Sequence, residues 1–232
     1  MLQRRVVLQV SNSSTLGILG LRGFIHFWGT AGSGKTSLAV AIASSVSKHS
    51  KVEWINSDGK QSFISQLKKN VLAQKGHPTN ILVTLTTGKH ELVNEIHSLA
   101  DRMSEVRLVV IDPITRVLDM AREDPTLWGR ELVEDILPTL AGIIERFNID
   151  IIITSECRFI EDSEYQAVHH STISRWVDFD FHITRDRSGS FSHIQNTIES
   201  QMQETAVLRM DDSGVLNIIP KAFSCELSEG VS

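Results

Sequence analysis

Cysteine is scarce: the 232 residues hold two, Cys157 and Cys225, far apart and with no C-x-x-C spacing. That arrangement offers no disulfide framework and reads as two reduced thiols of a cytoplasmic protein. Long apolar runs are missing too, so no stretch is fit to span a bilayer. Arg4 and Arg5 precede Val6-Val7-Leu8, but Gln9 interrupts an apolar run already too short for a secretory signal. Positive charge is in deficit, with 23 Lys and Arg against 28 Asp and Glu and a formal net charge of -5. Electrostatics alone therefore gives no reason to expect a generic polyanion binder. Internal repeats and low-complexity linkers are absent as well. The length suits one substantial core, with the organised part expected over about 16–220 and a short, small-residue tail over 221–232.

Against these absences stands one complete motif. Gly29-Thr30-Ala31-Gly32-Ser33-Gly34-Lys35-Thr36 matches G-x-x-x-x-G-K-[ST] without a mismatch. It follows the apolar run Phe24-Ile25-His26-Phe27-Trp28 and leads into Ser37-Leu38-Ala39-Val40-Ala41-Ile42-Ala43, which has helical character. Strand, loop and helix are the context a phosphate-binding loop requires. Its glycines let backbone N–H groups turn toward phosphates, and the helix N-terminus adds positive partial charge. Lys35 is then expected to reach the β- and γ-phosphates of a nucleoside triphosphate, and the Thr36 hydroxyl to ligate Mg2+.

Periodicity gives the frame around that loop. Strands are expected at Phe24–Trp28, Val52–Asn56, Ile81–Leu85, Arg107–Ile111 and Asp150–Thr154. Helices are expected at 35–48, 61–74, 91–103 and 126–147, with Trp128 on the last most simply a core residue. Such alternation implies an α/β fold: a mostly parallel sheet covered by helices on both faces. Beyond Arg175 the pattern changes to short strand-like runs at 177–184, 191–200, 205–210 and 215–219. Ser188-Gly189 and Asp211-Asp212-Ser213-Gly214 punctuate them, so antiparallel hairpins extending the sheet are expected.

Leu108-Val109-Val110-Ile111-Asp112 ends a buried-looking strand in a carboxylate. Alone, Asp112 could be a cap for the loop entering Pro113; paired with the phosphate loop it reads as the second Mg2+ ligand, acting through water. Pro113 in place of Glu excludes ATPases whose hydrolytic Glu directly follows this Asp. No N-K-x-D tetrapeptide supports guanine specificity, and Thr30 stands where a ParA/MinD-type loop carries its signature Lys.

The combined motifs resemble a RecA-superfamily ATPase core of the archaeal RadA/RadB and KaiC-like type. Leu16 to Gly23 resembles that family's glycine-containing lead-in, and Trp54-Ile55-Asn56-Ser57-Asp58-Gly59 resembles its Y-I-D-T-E-G. Leu108 to Thr115 is similar to V-V-I-D-S-I-T, and Ile151-Ile152-Ile153-Thr154-Ser155-Glu156 to V-I-I-T-N-Q, the strand bearing the γ-phosphate sensor. Arg175-Trp176-Val177-Asp178 and Ala206-Val207-Leu208-Arg209 look like its C-terminal strands. The resemblance implies a RecA-like fold, ATP and Mg2+ as cofactors, Asp58 as the residue orienting the attacking water and Glu156 at the sensor position.

Two substitutions within that resemblance weaken catalysis. Asp58 is one methylene shorter than the family's Glu, and reactive geometry tolerates little displacement. Glu156 replaces an amide that donates to the γ-phosphate; an ionised carboxylate cannot donate. The short stretch ahead of Gly29 also leaves no room for a helical DNA-binding domain or a polymerisation segment, which points to a recombinase paralog. The segment matching the second DNA-binding loop is acidic, with Glu161, Asp162 and Glu164 against Arg158, and is a poor strand-binding element. Tyr165 could stack on a base but suits packing better. His169-His170 has no partner at metal-ligand spacing, and Arg185 and Arg187 suit a solvated hairpin better than an arginine finger.

The expectation is an ATP-binding accessory in recombination or DNA repair, with slow or absent Mg2+-dependent hydrolysis. Its partners would be a RadA-type recombinase or other repair protein, with weak or indirect single-stranded DNA contact, no membrane, and oligomers allowed. A KaiC-like regulatory ATPase and a non-catalytic, ATP-dependent interaction module are the alternatives.

Overall fold

The computed structural model describes residues 19–115, 129–159, 165–198 and 203–221. Along the chain these give β1 (Phe24–Gly29), α1 (Lys35–Val46), β2 (Lys51–Asn56), α2 (Ser62–Ala73), β3 (Ile81–Leu85), α3 (Lys89–Ser98) and β4 (Val106–Asp112). A helix ending in α4 (Leu137–Phe147) leads to β5 (Asp150–Phe159), β6 (Tyr165–Ala167) and the short α5 (His170–Ile173). Strands β7 (Phe179–Arg185), β8 (Phe191–Asn196), β9 (Gln203–Met210) and β10 (Leu216–Pro220) follow.

Among the described residues one sheet runs β10-β9-β8-β7-β1-β5-β4-β2-β3, with β6 off that path against β5. Neighbours from β3 to β7 are parallel, and β7 to β10 pair antiparallel. The inner parallel strands β1, β4 and β5 are covered on both faces, which is why they read as apolar runs, whereas the edge strand β3 leaves Leu82 and Leu85 exposed. Within β2, Trp54 joins the core under α1 and α2, whereas Ile55 joins the core under α3 and α4. On the first face Trp54 stacks on Phe63 of α2, with ring centroids 4.9 Å apart. On the second, Leu92 and Ile96 of α3 and Leu137 and Leu140 of α4 pack with Ile151 and Ile153.

Helix α2 is also pinned to the antiparallel extension. Buried Asn70 accepts a 2.7 Å hydrogen bond from the Leu216 N–H at the start of β10, satisfying a donor that burial takes from water. The 126–147 helix differs from the regular expectation. Residues 132–136 form a π turn in which the Leu137 N–H bonds to the Leu132 carbonyl. Pro138 follows immediately and has no N–H to continue the ladder, so the helix widens by one residue there. Asn148 then ends α4 in the left-handed region (φ 51); residues 126–128, with Trp128, lie outside the described residues.

Strand β5 runs five residues beyond the expected Thr154. Its polar end pairs antiparallel with β6, Cys157 opposite Ala167 and Phe159 opposite Tyr165. Glu161, Asp162 and Glu164, between the two strands, lie outside the described residues. No described helix is long and apolar enough to cross a membrane.

Candidate functional site

Strand β1 delivers the loop at Gly29, and α1 starts at Lys35. Two of the glycines are required by close approach. A Cβ at Gly29 (φ +155) would overlap the Ile183 carbonyl of β7, and one at Gly34 (φ +110) would overlap the Ser192 hydroxyl of β8. Helix α1 has no side-chain cap and no acidic residue in its first turn, so its N-terminal amides face the loop uncompensated. The buried Ser33 hydroxyl has no hydrogen-bond partner among the described residues. Lys35 Nζ folds back onto the loop, donating to the Gly29 and Thr30 carbonyls, each at 2.8 Å. Burial pulls its pKa down, and nearby Asp112, Cys157 and Glu156 oppose that shift.

Asp112, at the end of β4, is the buried anchor of the site. It accepts a 2.8 Å hydrogen bond from Thr36 Oγ1 on one oxygen and the Thr154 hydroxyl of β5 on the other. Burial raises its pKa, the two hydroxyls lower it, and the Asp58 carboxylate raises it further. Pairing in register sets the strand ends level: Asn56 lies opposite Asp112, and Gly29 opposite Glu156. Asn56 Nδ2 bridges across, donating to the Asp112 carbonyl at 3.0 Å and to Asp58 Oδ1 at 3.2 Å. Thr36, Asn56, Asp58, Lys60, Phe63 and Asp112 line a cleft of ≈ 330 Å³.

Of the residues singled out in sequence, the Gly29–Thr36 loop, Asp58 and Asp112 meet at the C-terminal ends of β1, β2 and β4, whereas Glu156 lies level with Gly29 inside β5 and does not line the cleft. Arg185 is exposed in its hairpin, as expected, and from there its Nη1 donates to the Gly32 carbonyl at 3.2 Å while Nε and Nη2 donate to Gly189 O. Tyr165 makes an edge contact with Phe159, ring centroids 5.5 Å apart, and both rings are largely exposed. Asn56, Lys60 and Thr154 escaped the sequence reading; a polar residue at the end of each buried strand is the signal that points to Asn56 and Thr154.

A second polar cluster lies behind the loop strand. Ser155 hydrogen-bonds His26 Nε2 at 2.6 Å, His26 Nδ1 meets Asp180 Oδ1 at 2.7 Å, and Asp180 Oδ2 meets His170 Nε2 at 2.7 Å. Thr197 Oγ1 donates to the same oxygen at 2.6 Å. His170 thus serves a carboxylate. Burial lowers the pKa of His26, so the ring is neutral, carries its proton on Nδ1 toward Asp180 and accepts from Ser155. Burial pushes Asp180 up, but His170, His26 and Thr197 together hold it well below the usual carboxylate range. His26 and Asp180 were visible as lone polar residues inside apolar strands.

The chain is similar to the crystal structure of the RadB recombinase, with a TM-score of 0.68 and 19% sequence identity, over 90% of this chain and 97% of that one. At that identity the likeness carries the fold. The architecture is RecA-like. A family model described as parvovirus non-structural protein NS1 matches residues 6–75, a segment that contains the Gly29–Thr36 loop and stops short of Asp112. No curated protein matches the chain.

The Asp180 cluster sets a pH response. The folded state keeps His26 neutral, so below about pH 6.5 the unfolded chain takes up a proton that the folded one refuses. Asp180 works in the same direction: its contribution is present above the unfolded carboxylate pKa of about 3.9 and is lost as pH falls below it. Urea unfolding should show stability falling from pH 7 to 5 and falling further below pH 4. Asp180→Asn should cost about 2 kcal/mol at pH 7, since it leaves buried donors under-satisfied, and the gap to wild type should narrow below pH 4. Equal stability at pH 7 would remove the cluster's structural role.

Proposed function

We propose that the protein binds Mg·ATP in the Gly29–Thr36 loop, hydrolyses it slowly, and acts as an ATP-dependent accessory to a recombinase in DNA recombination or repair. The observation that carries the reading is the meeting of Lys35, Thr36 and Asp112 at an uncapped helix N-terminus. The loop's inward amides and the unpartnered Ser33 hydroxyl fit an anionic phosphate chain. Lys35 exchanges its two carbonyl partners for β- and γ-phosphate oxygens. Thr36 and Asp112, already 2.8 Å apart, present hard oxygen ligands suited to Mg2+, which when bound neutralises phosphate charge. The RecA-like architecture, shared with a recombinase of the RadB type, supports the recombination setting.

Within that reading Asp58 orients the attacking water and Glu156 occupies the sensor position. Asp58 is short and held by Asn56 and Lys60, and Glu156 offers the γ-phosphate no donor. Turnover should therefore fall at least about tenfold below the median enzyme value of about 10 s⁻¹. Phosphate-release assays should find Asp58→Glu combined with Glu156→Gln faster than wild type. A brisk wild type and a slower double variant would show these two residues already competent.

Direct DNA affinity is weak on this account, because the chain is net negative and contacts with a recombinase carry the function through exposed sheet edges and C-terminal hairpins. Fluorescence anisotropy with labelled single-stranded DNA and ATP should give dissociation constants of about 10⁻⁴–10⁻⁶ M at physiological salt. Tight binding with a steep salt slope would replace the accessory role with direct strand binding.

A further inference from the structure

The acidic character of the site leaves a charge to be accounted for. Asp58 and Asp112 bring two carboxylates into the cleft beside the loop, where Lys35 is the loop's own cation. Mg·ATP is itself still anionic, so a γ-phosphate entering beside Asp58 meets a repulsion that a cation at the cleft mouth offsets. Lys60 is placed for that. Gly59 takes a positive φ (70) and turns the chain so that the Lys60 N–H bonds back to Asp58 Oδ1 at 3.1 Å. The same turn brings Lys60 Nζ to 2.6 Å from Asp58 Oδ2. The Asp58 side chain is 8% exposed and the Lys60 side chain 62%, so the carboxylate is fixed and the ammonium lies free to swing at the cleft mouth. Thr36 and Asp112 line the same cleft. Lys60 is close enough to Lys35 to disfavour the charge on it, a repulsion that an anion between them relieves.

We propose that Lys60 is a second phosphate-binding lysine, supplied in cis, which leaves Asp58 for the γ-phosphate when Mg·ATP enters and so makes the site selective for triphosphate over diphosphate. The proposal rests on the nucleotide-binding reading above. Its geometry has a consequence for catalysis: the movement that places an ammonium on the γ-phosphate also releases the Asp58 carboxylate to accept a hydrogen bond from water. One residue then couples recognition of the third phosphate to availability of the water-orienting group. In an ADP complex no γ-phosphate draws the ammonium away, and the Lys60–Asp58 pair persists.

Lys60 is exposed and its aliphatic stem fills no core, so Lys60→Gln keeps the fold; matched far-UV circular dichroism checks this. Titration calorimetry with Mg·ATP and with Mg·ADP, on wild type, Lys60→Gln and Lys60→Arg, reads the effect. The expected result is an affinity for Mg·ATP about tenfold weaker in Lys60→Gln, as follows from losing one charge-assisted hydrogen bond. Affinity for Mg·ADP should be unchanged, and Lys60→Arg should restore the ATP preference. Equal losses for both nucleotides, or no loss for either, would overturn the proposal while leaving nucleotide binding in place. Faster turnover of Lys60→Gln with an unaltered ATP-to-ADP preference would also overturn it, leaving Lys60 as a clamp on Asp58. A wild type that binds neither nucleotide would overturn both this proposal and the reading beneath it.

Discussion

The carboxylate of Asp112 ties three elements together at one point. One oxygen takes the Thr36 hydroxyl from the first turn of α1, and the other takes Thr154 from β5, while its own strand β4 lies between β5 and β2. A buried carboxylate is costly unless its oxygens are hydrogen-bonded, so the two threonines are part of the condition for placing it there. Removing either hydroxyl would leave Asp112 under-satisfied. The nucleotide site proposed here is built on that fixed point: Lys35 is set by the helix that Thr36 anchors, and Asp58 by the Asn56 amide that also holds the Asp112 backbone.

The opposite face of β1 carries its own constraint. His26, Ser155 and Asp180 connect three neighbouring strands through side chains in the buried sheet interior. Ser155 lies between Thr154, which faces Asp112, and Glu156, which lies level with Gly29. The end of β5 is thus gripped from both sides of the sheet. A neutral His26 between an ionised carboxylate and a hydroxyl satisfies every polar atom in that short chain without placing a net cation in the core. Trp28, stacked on His182 with centroids 4.0 Å apart, continues this layer toward the loop.

Local signals were legible in the sequence, and contacts made across long separations were not. Ile81–Leu85 could be read because a short apolar run favours strand even at a sheet edge, and the Gly29–Thr36 loop because its geometry is set by consecutive residues. The polar end of β5 was unreadable. Ser155-Glu156-Cys157-Arg158 has no apolar alternation, and its strand character comes from β1 on one side and β6 on the other. The helix expected over 126–147 carried no sign, in its apolar spacing, of the π turn at Leu132–Ile136. In the site, Asp58 and Asp112 were found by motif. Arg185 over Gly32 is a contact across most of the chain that spacing could not reveal. The Lys60–Asp58 pair, two residues apart, depends on the turn at Gly59, which spacing alone does not reveal.

The central claim is that this framework holds a nucleoside triphosphate through Lys35. Isothermal titration of Mg·ATP into wild type and Lys35→Ala tests it without assuming turnover, DNA binding or any partner. The account predicts saturable binding to wild type and at least about a tenfold loss of affinity in the variant. Equal affinities for the two proteins would contradict it, because the loop would then not be where the phosphates bind.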